Sequence, residues 1–348
     1  MSTETSLSSH ITCPELICPK CKGELSQLSI RKGQCKTCDF QYPIQFGIPD
    51  LRYPVEQEPD ASEQWKTDQL IADYETSSFE ELVSTHVSMQ DVEASEELIA
   101  IYKKYRSGQL ERGSQLANMF LERLKTRFSL PDYHTALDLG CGSGAGLVTL
   151  SRKFIHVLAI EPQLNELILA KKFCEEQGLT NITFAQAYAQ HLPFEESQFS
   201  FITAQNVLEH VFTVDEVLVE IERVLKDKGC FAADSRNRFD LFLPEPHVKL
   251  RWVGMFPRAW ANSYVKWRIG IDYDFVHAHL LSYWDLRRGL SSAFQSRYEI
   301  VFPQVSAYNF PSQLDAVFKQ LENIKFIARP LLTIFPSHLI LAQKQNSA

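Results

Sequence analysis

Ten residues constrain this chain more than any others: Leu137-Asp138-Leu-Gly140-Cys141-Gly142-Ser-Gly144-Ala-Gly146. An apolar run enters the motif as a strand and a helical pattern leaves it, so the glycines stand at a strand-to-helix turn. There they let the backbone bend tightly and bring amide groups within reach of a nucleotide. Short apolar runs at 136–139, 157–160, 182–184 and 199–202 are followed by helical stretches after the first, second and fourth. Such alternation predicts a doubly wound α/β domain, a parallel sheet with helices on both faces. The helix after the fourth run is the clearest. Thr213-Val-Asp-Glu216 reads as a capping box, Val214, Val217, Leu218, Ile221, Val224 and Leu225 form one face, and Gly229 is placed to stop it. Upstream, Leu116, Ala117, Phe120, Leu121, Leu124 and Phe128 repeat at three and four, the stripe of a helix that covers the main domain.

Nineteen residues beyond Gly142 stands Glu161, at the end of the second run, where a carboxylate can accept both hydroxyls of a ribose. Gly140-x-Gly142-x-x-Ala145 with a later acid also satisfies the dinucleotide fingerprint, which keeps a nicotinamide-dependent oxidoreductase in view. Asp138 separates the two. An anion two residues before the first glycine does not help a pyrophosphate-binding turn. It does suit a phosphate-free cofactor that bears a sulfonium and a free amino group.

Four of the eight cysteines read Cys18-Pro-Lys-Cys21 and Cys35-Lys-Thr-Cys38, separated by thirteen residues. Two tight turns that each present two thiolates, joined by a hairpin, make the tetrahedral closed shell that structural zinc prefers. Such a metal supplies folding energy to a segment too short to build its own core. Cys13 lies outside the pattern and is not counted as a ligand. The start of the chain, residues 1–10, has neither the basic opening nor the apolar stretch of a secretory signal, which predicts a cytoplasmic protein in which disulfides are not expected. The longest apolar stretch, around 331–342, is broken by Pro336, Ser337 and His338 and is shorter than the roughly 18 residues of a membrane span.

The net charge is −8, unevenly spread. Residues 56–97 hold thirteen acids against the single base Lys66, which leaves the rest of the chain net positive. Such a belt disfavours nucleic acid as a partner. Residues 236–281 contain Arg236, Arg238, Lys249, Arg251, Arg258, Lys266 and Arg268 against Asp240, Glu245, Asp272 and Asp274, and are rich in tryptophan, tyrosine and phenylalanine. The acidic belt and this basic segment are expected to lie near each other over the cofactor pocket, since each would otherwise leave a like-charged surface. The expected organisation is a zinc ribbon at 1–55, an acidic helical cover at 56–130 and a main domain at 131–348.

In order along the chain, Asp138-x-Gly140-x-Gly142-x-Gly144, Glu161, His191-Leu-Pro-Phe194 with Phe199-Ser-Phe-Ile202, Val207-Leu-Glu-His210 and Val224-Leu-Lys-Asp-Lys-Gly-Cys-Phe231 resemble the class I S-adenosylmethionine-dependent methyltransferases. The likeness is to the group related to ubiquinone and menaquinone biosynthesis. The opening segment, with Tyr42-Pro-Ile and Gly47-Ile-Pro-Asp50, resembles the small zinc ribbons that partner or precede such enzymes. The resemblance implies a mostly parallel seven-stranded Rossmann-like sheet and S-adenosylmethionine as cofactor. It also implies a cofactor site at Asp138, Gly140, Cys141, Gly142, Gly144, Glu161, Pro162, Tyr188, Ala189 and Asn206. Two departures stand out. Tyr188 occupies the position where the family carries an aspartate for the adenine amino group, and Phe199-Ser200 replaces its Phe-Asp.

Methyl transfer is an in-line displacement helped mainly by alignment, with a base needed only for a protonated nucleophile. Glu209 and His210 follow the fourth run, where the methyl would point, and are the base candidates. Their structural alternatives are capping of a helix start for Glu209 and packing under the sheet edge for His210. His247, in Pro244-Glu-Pro-His247, is a second candidate. Asn206 stands where some relatives place the first acid of a magnesium site, which argues against a full metal cluster. The aromatic and arginine-rich segment suits an acceptor that is partly apolar and anionic, or else forms a small subdomain with its own aromatic core. The expected activity is methylation at oxygen or carbon of a small or carrier-linked metabolite. An RNA base methyltransferase and a non-catalytic scaffold are the alternatives.

Overall fold

The apolar runs from residue 135 onward pair into one sheet, and the glycine turn leaves the C-terminal end of one of its inner strands. The structure is a computed structural model that describes residues 15–54, 61–90, 96–128, 132–211, 213–245, 248–270, 279–295, 297–304 and 310–346. Cys13 and His247 lie outside the described residues.

The cysteine-bearing segment forms β1 (Leu25–Ser29), β2 (Lys32–Cys35), β3 (Gln41–Gln45) and β4 (Ile48–Pro49), an antiparallel sheet in chain order. Three helices follow: α1 (Ala61–Asp73), α2 (Phe79–Gln90) and α3 (Glu96–Lys125). The main domain then alternates β5 (Thr135–Leu139), α4 (Leu147–Lys153), β6 (His156–Ile160), α5 (Leu164–Glu176), β7 (Ile182–Ala185) and β8 (Phe199–Gln205). A 3-10 turn at Leu208–His210 leads to α6 (Val214–Val224) and β9 (Leu225–Arg236). After α7 (Arg258–Ile269) and α8 (Tyr283–Phe294), the chain ends with β10 (Tyr298–Val301), α9 (Gln313–Leu321), α10 (Lys325–Ile334) and β11 (Ser337–Gln343).

The large sheet has seven strands in the order β10-β11-β9-β8-β5-β6-β7. Strands β5 to β9 are parallel, and β11 inserts antiparallel between β9 and β10. The mostly parallel seven-stranded architecture is the expected one. One face packs on α1 to α5 through Leu70, Leu82, Phe120, Leu150 and Ile168, and the other on α6 and α8 through Leu218, Ile221, Leu286 and Leu290. Ala117, Phe120, Leu121 and Leu124 are fully buried, the stripe of α3 read from its spacing.

Helix α6 departs from expectation in two details. Its apolar face is buried, yet Thr213 makes no capping bond, because its hydroxyl donates to Glu216 Oε2 at 2.6 Å. The helix also ends at Val224 rather than running to Gly229, since Leu225 already pairs with Phe199 as the first residue of β9. Ser200, where the family carries aspartate, is buried, and its hydroxyl donates to Asp132 Oδ1 at 2.8 Å.

The four-stranded sheet is docked against the main domain by backbone and side chain together. Ile17 N donates to Pro193 O at 2.9 Å, and Lys22 Nζ reaches Leu192 O at 2.9 Å and Glu220 Oε2 at 3.2 Å. Beyond β4, Leu51 N donates to Gln186 O at 2.8 Å and Gln186 N to Pro49 O at 3.0 Å, a short parallel pairing beside the end of β7. Helices α1 and α2, which carry most of the described part of the acidic belt, are seated on α5: Phe79 N donates to Glu176 Oε1 and Lys172 Nζ to Tyr74 O. The basic segment is anchored elsewhere, at the exit of β9, where Arg238 donates to Leu281 O, Gly254 O and Phe256 O. The two charged segments are thus held by different elements.

Candidate active site and a four-cysteine cluster

Strand β5 delivers Asp138 to the C-terminal edge of the sheet, in register with Thr203 on β8 and Ala159 on β6. The carboxyl is buried. Loss of water, and secondly the negative charge of Glu161, push its pKa up to about 7. The loop that follows is clamped to β6, with Gly140 N and Cys141 N both donating to Ile160 O at 2.7 and 3.1 Å. Gly140, Gly142 and Gly144 all adopt the left-handed region, with φ of 68°, 49° and 94°. Gly142 N then donates to Glu161 Oε2 at 3.1 Å, so the glycine turn and the acid nineteen residues on are brought together as expected.

Close approach accounts for the last glycine of the motif. A Cβ on Gly146 would stand 2.9 Å from both Asp138 Oδ2 and Gln205 Nε2. Gln205, the last residue of β8, donates to Gly113 O of α3 at 3.2 Å. Gly113 lies so near the loop that a Cβ there would overlap the methyl of Ala145. Ser114 and Asn118 of the same helix bond Thr149 Oγ1 at 2.8 and 3.1 Å, which fixes α3 over the turn. Neither Gly113 nor Gln205 carries a sequence signal, because the contact joins positions 92 residues apart.

On the far side of the turn, Gln186 Nε2 donates to Pro162 O at 2.9 Å and links the residue after Glu161 to the end of β7. Tyr188 is half-buried and Ala189 buried in the loop that follows, beside the cysteine-bearing sheet. Cys141 is buried within the turn.

Beyond β8, Asn206 takes a left-handed φ of 53° and is exposed, with its N–H donating to Asp234 Oδ1 at 3.0 Å. That turn lays Val207 against Gly140, where a Cβ would meet Val207 Cγ2 at 2.5 Å. Glu209 lies in the 3-10 turn and is buried, so it does not cap α6; its backbone carbonyl accepts from His279 N. Burial raises its carboxyl to about 6, offset in part by hydrogen bonds from the Ser235 side chain and the Arg236 backbone and by the Arg236 charge. His210 is exposed rather than packed under the sheet. Asp234 is the group that sequence reading passed over. It is buried in β9, pushed up to about 7 by burial and then by Glu209. An acid closing the apolar run 230–233 was its only signal. Asp138, Glu161, Glu209 and Asp234 therefore gather carboxylates along one edge of the sheet, a setting that favours a positively charged ligand.

The second centre is the cysteine cluster. The four sulfurs of Cys18, Cys21, Cys35 and Cys38 lie within 4.8 Å of one another, with Cys18–Cys38 at 3.7 Å and Cys21–Cys35 at 3.5 Å. A tetrahedron of thiolates about 2.3 Å from a zinc ion has sulfurs separated by about 3.8 Å, so the donor set fits that metal. Among the described residues no helix is long and apolar enough to cross a membrane.

The comparisons agree with this geometry. Residues 137–233 match the family profile described as a methyltransferase domain. An uncharacterized methyltransferase of Bacillus subtilis, YcgJ, is 26% identical over 54% of this chain and 65% of its own length. The ubiquinone/menaquinone biosynthesis C-methyltransferase UbiE of Bartonella quintana is 33% identical over 27% of this chain and 38% of its own. The ubiquinone biosynthesis O-methyltransferase of Azorhizobium caulinodans is 25% identical over 36% and 50%. The chain spans less than two thirds of the length of these curated relatives. With the strand order, the clamped glycine turn and the paired acid all in place, residues 137–233 carry a methyltransferase domain of the class I S-adenosylmethionine-dependent kind.

Proposed function

We propose that the protein transfers a methyl group from S-adenosylmethionine to oxygen or carbon of a small or carrier-linked acceptor. The observation that carries this reading is the buried Asp138 beneath a turn whose Gly142 amide is tied to Glu161. When bound, the cofactor supplies a sulfonium-activated methyl group. Asp138, with Gly140, Cys141, Gly142 and Gly144, would hold its amino acid end, and Glu161 and Pro162 the ribose. Tyr188 and Ala189 would face the base, and Asn206 the end nearest the acceptor. Because Tyr188 replaces an acid, ring contact and backbone groups take over recognition of the adenine. UbiE-type and O-methyltransferase relatives, named for quinone biosynthesis, favour carbon or oxygen over nitrogen as acceptor atom.

The chain's own contribution to chemistry is alignment and exclusion of water. Asp234 holds the Asn206 turn by its N–H, and that turn sets Val207 on the glycine loop. Glu209, with a pKa near 6, is ionised at neutral pH and is the group we assign as base for a protonated acceptor. His210 is exposed on the same turn and is the alternate proton carrier. His247 keeps its place as a further base candidate in the segment after β9. The four cysteines hold structural zinc, and the chain divides into a ribbon at 1–55, an acidic helical cover at 56–130 and a transferase domain at 131–348. A cytoplasmic location is part of the same proposal.

A labelled-methyl assay on fractionated cell extract tests the activity. Incorporation should require this protein and should be abolished by Asp138→Ala. Unchanged labelling with that variant would contradict the assignment, and label recovered only in RNA would point to the base-methylase alternative.

A further inference from the structure

The segment between β9 and α8 was expected to wall the acceptor pocket or to bury its aromatics in a core of its own. Among the described residues of this segment, the second reading holds only in part, for Phe256 and Tyr264 pack on the small core and the tryptophans do not. Its small core is made by Val253, Ala261 and Val265 with half-buried neighbours. The tryptophans are outside it: Trp252 is 57% exposed, Trp260 68% and Trp267 76%. These are three of the five tryptophans in the chain. On α7, Trp260 and Trp267 are seven residues apart and share one helical face, opposite the narrow buried stripe of Ala261 and Val265. Met255, in the turn before α7, and Ile269, at the end of the helix on the side away from the tryptophans, are also exposed.

The charge on this surface is as one-sided as its apolar content. Residues 248–270 contain five bases and no acid, in a chain whose net charge is −8. The Arg268 guanidinium lies 5.5 Å from the ring centre of Trp267, and Lys266 is exposed on the adjoining turn. Tryptophans with long basic side chains around them form the pattern of a helix that rests in a lipid headgroup layer. The rings enter the interface and the cations meet anionic lipid. A single-stranded nucleic acid would use the cations and rings but has no use for the exposed Met255 in the turn that carries Trp252, so the combination favours lipid.

We infer that α7 and the turn before it form a docking surface for an anionic bilayer. This goes beyond methyl transfer and does not depend on it. Trp252 also lines a cavity with Arg236, Arg238 and Gly254 at the exit of β9, so a docked molecule would hold that cavity against the lipid.

Co-sedimentation of the full chain with phosphatidylcholine vesicles, with and without phosphatidylglycerol, tests this. Binding should require the anionic lipid, weaken with salt and shift tryptophan emission to the blue. Trp260→Ser with Trp267→Ser should reduce partitioning by at least about tenfold, and Lys266→Glu with Arg268→Glu by a similar factor. Both pairs are exposed, so thermal denaturation should show the variants folded, and methyl transfer to a soluble acceptor should be unchanged. Failure of the wild type to sediment with anionic vesicles would overturn the inference. So would wild-type binding by the tryptophan variant. Loss of RNA binding, or of self-association, in these variants without any effect on vesicle binding would equally assign the surface to another partner.

Discussion

A carboxyl that leaves water without gaining a cation is held closer to neutrality, and Asp138 is the clearest case here, raised from 3.8 to about 7. Its folded form binds the proton more tightly than the unfolded chain does. Between about pH 4 and 7 the ligand-free fold therefore loses stability as pH rises, and below that window the effect vanishes. Affinity for a cationic cofactor moves the opposite way, because the ionised carboxylate is the partner it needs. Calorimetric titration with S-adenosylmethionine should show affinity rising through pH 7 and levelling above it. Asp138→Asn should weaken binding by ten- to a hundredfold, about 1.4 to 2.7 kcal/mol, and flatten the pH dependence. An Asn variant that keeps the wild-type slope would move the titration to another group, with Asp234 the first to examine. The same chemistry gives Glu209 its place. With a pKa near 6, a rate that depends on it as base should rise with an inflection there and lose that inflection in Glu209→Gln, provided the acceptor carries a proton to remove.

Helix α3 makes the cofactor turn a sandwiched element rather than a free loop, and Gly113 is where the two touch. Propensity alone says that Gly113→Ala should stabilise a helix interior by about 1 kcal/mol. Geometry says otherwise, since the added methyl would overlap Ala145. The expected outcome is a loss of about 1–3 kcal/mol, read by denaturant unfolding, together with weaker cofactor binding. A more stable variant would show that α3 can lift from the turn without consequence. This contact also marks the limit of what the sequence discloses. Local chemistry was legible: the glycine turn, the spaced cysteines and the stripe of α3 all follow from neighbours a few residues apart. Gly113, Gln205 and Asp234 were not, because each acquires its role from a partner that only the folded sheet brings near. The Thr213 cap failed for a related reason. Its motif supplies both acceptor and acid, and the hydroxyl was captured by the Glu216 side chain instead of the backbone. The aromatic segment was legible only in number, since composition records how many tryptophans there are but not which side of a helix meets water.

At the scale of the molecule, the ribbon and the transferase body are joined through the loop that carries Tyr188. Lys22 and Ile17 grip Leu192 and Pro193, and Tyr53 packs edge-on against His191 with ring centres 5.4 Å apart. If zinc holds the four cysteines, its removal should release the ribbon and with it this loop. Metal analysis should find about one zinc per chain, bound by four thiolates. Chelation, or Cys35→Ser, should lower the melting temperature and speed proteolysis between residues 15 and 54. A chain that melts at the same temperature with and without chelator would rule out a structural metal.

The pairing of residues 49–51 with Gln186 has a further effect, on the outermost parallel strand. Unpaired strand margins recruit one another and seed aggregation. Here the tail of the ribbon occupies the exit end of β7 with main-chain hydrogen bonds, in the manner of a short extra strand. Excising the transferase body at residue 60 would therefore strip away more than a metal-binding appendage. It would uncover the Gln186 amide and carbonyl that the intact chain keeps occupied, and the shortened protein would gain a stickier rim at the exit of β7.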